Sequence, residues 1–208
     1  MKTTSVSIIF IALFSLMGLA QQPNYYPLHV GNNWVYKMLG SDDFHQSISV
    51  VEFDQELNAY LVRTTTRMGA ITPVLSVQLI EPRDNKILLI AKRYREYLNS
   101  ALEWKQVSNH IILKYPLAVD SIWTTDDYES VINYKVVGFV ALKVQAGNFE
   151  NVCEVRKNHK YYDEERKIKS FGIFYDYYAP NVGLIKEEIV NEDKTISPAL
   201  ELVRYNVK

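Results

Sequence analysis

Beyond the first thirty residues the chain alternates between apolar and polar positions with a period of two, not the 3.6 of an amphipathic helix. Residues 128–144 form the longest such run. Ser130 apart, its even positions are Tyr128, Ile132, Tyr134, Val136, Gly138, Val140, Leu142 and Val144, and its odd positions include Glu129, Asn133, Lys135 and Lys143. Successive side chains on a strand point to opposite faces, so this run predicts one long strand with a dry even face, bent near Gly138. A second run, with Ile71, Leu75, Val77 and Leu79 on one face and Thr72, Ser76 and Gln78 mostly on the other, reads the same way. Similar patterning predicts strands over 33–39, 44–54, 59–67, 86–93, 101–107, 109–114, 152–161, 168–179, 184–190 and 199–207.

Between these runs lie connectors rich in turn formers and charges: Gly40-Ser41-Asp42-Asp43, Gln55-Glu56-Leu57-Asn58, Met68-Gly69-Ala70, Pro82-Arg83-Asp84-Asn85, Asn99-Ser100, Asp163-Glu164-Glu165-Arg166 and Asn191-Glu192-Asp193-Lys194. No segment predicts a helix longer than about two turns. The prediction is an all-β protein, an antiparallel meander of eleven or twelve strands forming either a curled half-barrel sheet or a sandwich. Within it, residues 171–178 (Phe-Gly-Ile-Phe-Tyr-Asp-Tyr-Tyr) are apolar at both parities, which predicts a strand dry on both faces.

One nine-residue pattern occurs twice. Tyr26-Pro27-Leu28-His29-Val30 leads to Trp34, and Tyr115-Pro116-Leu117-Ala118-Val119 leads to Trp123, 89 residues later. Proline ends the preceding element, and Leu and Val turn inward. A polar turn then launches a strand that opens with Trp. The pattern is compatible with two halves, 25–114 and 115–208, or with reuse of one convenient turn. No linker separates them, so residues 21–208 are read as a single domain.

The first twenty residues are of a different kind. Lys2, the apolar stretch 6–16, and small Gly18 and Ala20 before Gln21 have the order of a secretory signal peptide, 1–20. The stretch is too short to span a bilayer as a helix, and no cysteine follows it to carry a lipid. Export to the periplasm or outside, without a lipid anchor and without a transmembrane segment in the mature chain, is the expectation. Charge is nearly balanced, with 23 basic against 24 acidic side chains, which argues against a nucleic-acid partner.

Chemistry is sparse. One cysteine, Cys153, rules out an internal disulfide or a CxxC site, and its alternating neighbours predict a buried, inert thiol. The four histidines, His29, His45, His110 and His159, show no metal-ligand spacing. No nucleophile motif is present, and no helix follows a glycine loop to hold an anion. The adjacent acids Asp126-Asp127, Asp163-Glu164-Glu165 and Glu187-Glu188 read as solvated charges, although any two acids could meet in space as a glycosidase pair. No cofactor, catalytic residue or metal ligand is assigned. The unusual feature is aromatic content: all 15 Tyr and three Trp lie beyond residue 20. Trp34, Tyr36, Trp123, Tyr134, Phe171, Tyr175 and Tyr177 are the candidate ligand-binding surface, with ordinary cross-strand packing as the alternative.

Three patches carry a resemblance: Tyr26-Pro27-Leu28-x-Val30-Gly31-Asn32-x-Trp34-x-Tyr36, Ala146-Gly147-Asn148-Phe149-x-x-Val152, and Tyr178-Ala179-Pro180-Asn181-Val182-Gly183-Leu184-Ile185-Lys186. In this order the chain resembles a group of uncharacterised secreted bacterial proteins with FPLxxGxxWxY, AGxFxxV and YAxxVGLvK motifs. In general style that group is similar to curled-sheet envelope proteins such as the LolA-like lipoprotein carriers, whose plugging helices this sequence lacks. The doubly apolar strand 171–178 and the long one-faced strand 128–144 point to a non-enzymatic module whose concavity holds an apolar or amphipathic ligand, such as a lipid. The alternatives are a structural module that binds an envelope protein through its strand edges, and a hydrolase using two carboxylates.

Overall fold

The computed structural model describes residues 22–38, 44–68, 71–95, 104–126, 130–163 and 165–208. The signal-peptide region and the predicted turns at 40–43, 69–70 and 99–100 lie outside them. Twelve strands follow one another: β1 (Asn33–Met38), β2 (Phe44–Asp54), β3 (Ala59–Met68), β4 (Ile71–Arg83), β5 (Lys86–Arg95), β6 (Lys105–Lys114), β7 (Ile122–Asp126), β8 (Ser130–Val144), β9 (Gly147–Tyr162), β10 (Ile168–Ala179), β11 (Gly183–Val190) and β12 (Ile196–Asn206). They form one antiparallel sheet in the order β6-β5-β4-β3-β2-β1-β12-β11-β10-β9-β8-β7. Of the two predicted architectures this is the curled single sheet, not the sandwich.

Local patterning explains most of this. In β8 the even positions Ile132, Tyr134, Val136 and Val144 are buried while Lys135, Val137, Phe139 and Lys143 are exposed. The register against β9 slips between Val136 and Gly138 and again between Val140 and Leu142, so two bulges let a fifteen-residue strand bend around the core. A turn at Gln145-Ala146 separates β8 from β9. Val144 pairs with Gly147 across a two-residue turn, so β9 starts five residues before the predicted 152–161 strand. Where two strands were predicted at 101–107 and 109–114, one strand, β6, begins at Lys105.

Strand β10 departs from expectation. Asp176 and Tyr178 are buried, but Phe171 is 54% exposed and Ile173, Tyr175 and Tyr177 are only half-buried. The strand is therefore not dry on both faces. With one sheet and no second layer, only its inward parity has anything to pack against.

In both copies of the repeated pattern Leu28 and Leu117 are buried but Val30 and Val119 are exposed rather than turned inward, and both copies adopt the same backbone hydrogen bonding. Gly31 N–H donates to Val50 O (2.9 Å), Asn32 N–H to His29 O (3.0 Å), and Val50 N–H to Asn32 O (2.9 Å). In the second copy Asp120 N–H donates to Val136 O (3.0 Å), Ser121 N–H to Ala118 O (2.9 Å), and Val136 N–H to Ser121 O (2.9 Å). Gly31 and Asp120 occupy the same place in the turn and both have positive φ, 95° and 68°. Each copy opens a six-stranded meander, β1–β6 or β7–β12. The first strand of one meander pairs with the last strand of the other at β1–β12.

At the other junction, β6 and β7 form no ladder. The curl nevertheless brings them together, because the Thr125 hydroxyl on β7 bonds the backbone of Ile111 on β6. The sheet stays open, held by eleven ladders, with its two edge strands joined by this side-chain bridge. Its core holds Trp34, Tyr36, Val50, Ile80, Leu113, Trp123, Val136, Val152, Cys153, Ile185 and Leu202, all nearly inaccessible. Fully burying an aliphatic or aromatic side chain of this size contributes about 1.5–3 kcal/mol.

Candidate functional site: the hollow inside the curl

The curl does not fill completely. A cavity of about 260 Å³ lies between the inner faces of β1–β6 and β9–β11. Its wall is apolar over most of its extent, with Leu28, Trp34, Tyr36, Ile48, Val50, Val62, Leu89 and Ile112 among the lining residues. One side is covered by the segment around Tyr26, Pro27 and Leu28, which precedes β1.

That segment is tied down from several directions. Asn181 N–H donates to Asn24 O (2.6 Å), and Tyr25 N–H donates to the Tyr115 hydroxyl (3.1 Å). The Gln22 amide both donates to Leu117 O (2.9 Å) and accepts from Leu117 N–H (3.1 Å). The two Tyr-Pro-Leu segments thus meet each other. Gly183, at φ 99°, gives the β10–β11 turn a backbone conformation that favours glycine, and the turn packs beside Pro27.

The aromatic rings lining the hollow have spent their polar tips on the protein. Trp34 Nε1–H donates to Val182 O (2.6 Å) and the Tyr36 hydroxyl to Leu184 O (2.8 Å). The Tyr178 hydroxyl donates to Asp176 Oδ2 (3.1 Å). Burial raises the phenol pKa values of Tyr26, Tyr36 and Tyr178 far above the usual range, so all three stay neutral.

Against this wall stands a compact charge cluster. Asp176 on β10 and Glu187 on β11 are direct cross-strand neighbours, an arrangement that is destabilising for like charges unless a cation intervenes. Lys157, on β9, supplies it. Its Nζ lies 2.7 Å from Asp176 Oδ1 and 2.7 Å from Glu187 Oε2. The Asp176 and Lys157 side chains are 6% and 18% exposed, and Glu187, at 27%, faces the wetter side. Burial raises the Asp176 pKa to about 7; Lys157 opposes that shift, while the charge of Glu187 and a hydrogen bond to it add to it. Burial alone would lower Lys157, but the two carboxylates outweigh it and hold the ammonium charged. Gln78 on β4 and His110 on β6 complete the polar lining.

The seven aromatic residues singled out from the sequence are not brought together. Trp34 and Tyr36 line the hollow. Trp123 and Tyr134 are buried and stack on each other, with ring centroids 5.0 Å apart and planes within 7°. Phe171, Tyr175 and Tyr177 lie at the opposite parity of β10 from Asp176 and Tyr178, outside the hollow's lining. Tyr177 there donates to Glu188 (2.7 Å), which also pairs with Lys186.

Glu187 and Glu188 point to opposite faces, and neither is the solvated charge expected from the sequence: Glu187 is 27% exposed and paired with Lys157, Glu188 14% exposed and paired with Lys186. The residues that reasoning from sequence missed are Lys157, Asp176 and Glu187. The one signal available was Asp176 itself, a lone acid inside an otherwise apolar run. Cys153 is fully buried, and burial followed by Glu154 raises its thiol pKa to about 12. Among the described residues no three His, Cys, Asp or Glu side chains converge as a metal site would require.

No protein-family model and no curated protein matches the chain. Among solved structures, a Bacteroides fragilis protein assigned as exported, with a YmcC-like fold, superposes with a TM-score of 0.56 at 14% identity over 88% of this chain and 99% of its own. A Parabacteroides distasonis protein assigned as a lipoprotein gives a TM-score of 0.46 at 13% identity over 89% of this chain and 99% of its own. The first likeness establishes a shared fold: an all-β, antiparallel, curled sheet.

Proposed function

We propose that the protein is an exported, non-enzymatic binding module that holds a small amphipathic ligand inside its curled sheet. The observation that carries this reading is the 260 Å³ hollow, walled by aromatic and aliphatic side chains and furnished at one place with converging charged groups. Such pairing of apolar wall and few polar anchors is the usual form of a small-molecule site. Export is supported by the leader-like residues 1–20 and by the assignment of the Bacteroides fragilis structure as an exported protein. The site is built from strands of both meanders.

The two other readings fit the geometry less well. Hydrolysis by two carboxylates needs the space between them for the scissile bond. Asp176 and Glu187 do share a hollow, but Lys157 Nζ fills the gap between them at 2.7 Å from each. A module that recruits a partner strand needs a free sheet edge. The edges here, β6 and β7, face each other across the Thr125 bridge.

Native mass spectrometry after gentle purification tests the proposal, together with uptake of a lipophilic fluorescent dye. Retained small-molecule mass or saturable dye binding supports it. A bare protein that takes up no dye counts against it.

A further inference from the structure

The chemistry of the hollow also selects the head group of its ligand. We infer that the site takes a small organic cation, an amine with an alkyl or similar apolar tail, its nitrogen at Glu187 beside the Lys157–Asp176 pair and its tail along Trp34 and Tyr36. This rests on the binding reading above and narrows it to one ligand class.

Three observations lead there. The first is the count of charges. The cluster holds two carboxylates and a single ammonium, so with both acids ionised it carries one uncompensated negative charge in a largely apolar hollow. Charge buried away from water is costly unless paired, and a monocation restores neutrality.

The second is the supply of hydrogen-bonding groups. The Trp34 and Tyr36 donors are committed to the carbonyls of Val182 and Leu184, and Tyr178 is committed to Asp176. Lys157 Nζ is shared between both acids. What the cluster has left to offer is carboxylate acceptor capacity, chiefly on the more exposed Glu187, which suits a donor and repels an anion.

The third is the wall. With their polar tips turned away to backbone, the rings of Trp34 and Tyr36 present hydrocarbon and π surface, which attracts cations as well as alkyl chains. His110 is the hollow's other titratable side chain of basic type, on β6. The hollow, at about 260 Å³, has room for a short-chain amine.

The test is a calorimetric titration of the full mature chain at pH 7.5 with three probes of matched length, n-hexylamine, n-hexanol and n-hexanoate. Hexylamine is expected to bind roughly tenfold more tightly than hexanol, and hexanoate more weakly than either. Glu187→Gln is expected to remove most of the advantage of hexylamine while leaving hexanol within about twofold. The wild-type series carries the test even should the variant fold poorly. Hexanol binding as tightly as hexylamine overturns the cation inference but leaves a binding hollow. Tightest binding of hexanoate overturns it as well, by making Lys157 the anchor. Failure of all three probes overturns the inference and the binding proposal together.

Discussion

The Thr125 hydroxyl accepts a hydrogen bond from Ile111 N–H at 2.9 Å and donates one to Ile111 O at 3.1 Å. A single side chain on β7 thereby satisfies both backbone groups of a residue on β6, at the one place where the strand order is interrupted. Thr125 is fully buried, so the pair of bonds is sheltered from water.

Replacing Thr125 by Val keeps the shape and removes both bonds, leaving a buried amide and carbonyl without partners. The expected loss is about 1–3 kcal/mol in chemical denaturation, with Thr125→Ser much closer to wild type. Hydrogen exchange at the Ile111 amide should accelerate in the Val variant. Next to this seam a second cavity, also about 260 Å³, shares Leu89 and His110 with the first and reaches Thr124 on β7. Loosening the seam should therefore also speed exchange of a bound probe.

The two repeated tryptophans make a matched experiment. Trp34 Nε1–H donates to Val182 O, whereas Trp123 Nε1 is buried without a hydrogen-bond partner among the described residues. Trp34→Phe should cost about 1–3 kcal/mol by orphaning a buried carbonyl, and Trp123→Phe clearly less. Either Trp→Ala change should cost about 3–5 kcal/mol, since both residues are core. Equal costs for the two Phe variants would contradict the assigned asymmetry.

Asp176 makes stability depend on pH with a definite sign. Its carboxyl titrates at about 7 in the folded protein, above the ordinary 3.8, chiefly because it is buried. Between those values the folded state holds a proton that the unfolded chain has released, so stability falls as pH rises from about 4 to 7 and then levels off. Subtracting the profile of Asp176→Asn from that of wild type should isolate this fall. A difference that rises with pH over this window would reverse the assignment.

Cys153 should resist modification. A fully buried thiol with its pKa raised to about 12 exposes almost no thiolate at pH 8. Ellman's reagent should label the chain only after denaturant is added. Prompt stoichiometric labelling of the native protein would show the core opening locally around β9.

Much of the architecture was legible because a strand writes its two faces into alternate residues. The even face of 130–144, the bend at Gly138 and the turn residues between described hairpins are local facts, and local sterics enforce them. The twin launch of β1 and β7 was legible for the same reason, since Pro, a positive-φ turn and Trp act within nine residues. Alternation says which parity is apolar, but not whether a second layer covers it. That is why β10 was expected to be dry on both faces and is not.

The site was decided at a distance. Lys157, Asp176 and Glu187 lie on three successive strands, and only the β9–β10–β11 register sets Asp176 opposite Glu187 with Lys157 diagonal to Asp176 on the same face. A shift of one residue would send each side chain to the other face and dissolve the cluster. The hollow depends likewise on the sheet curling until β6 meets β7, a sum of small twists over twelve strands that no single segment records. The chain alone thus determined the strands, their faces and their turns, because these follow from neighbouring residues. Tertiary structure decided which buried charges meet and where the interior stays empty, because those depend on register and curvature.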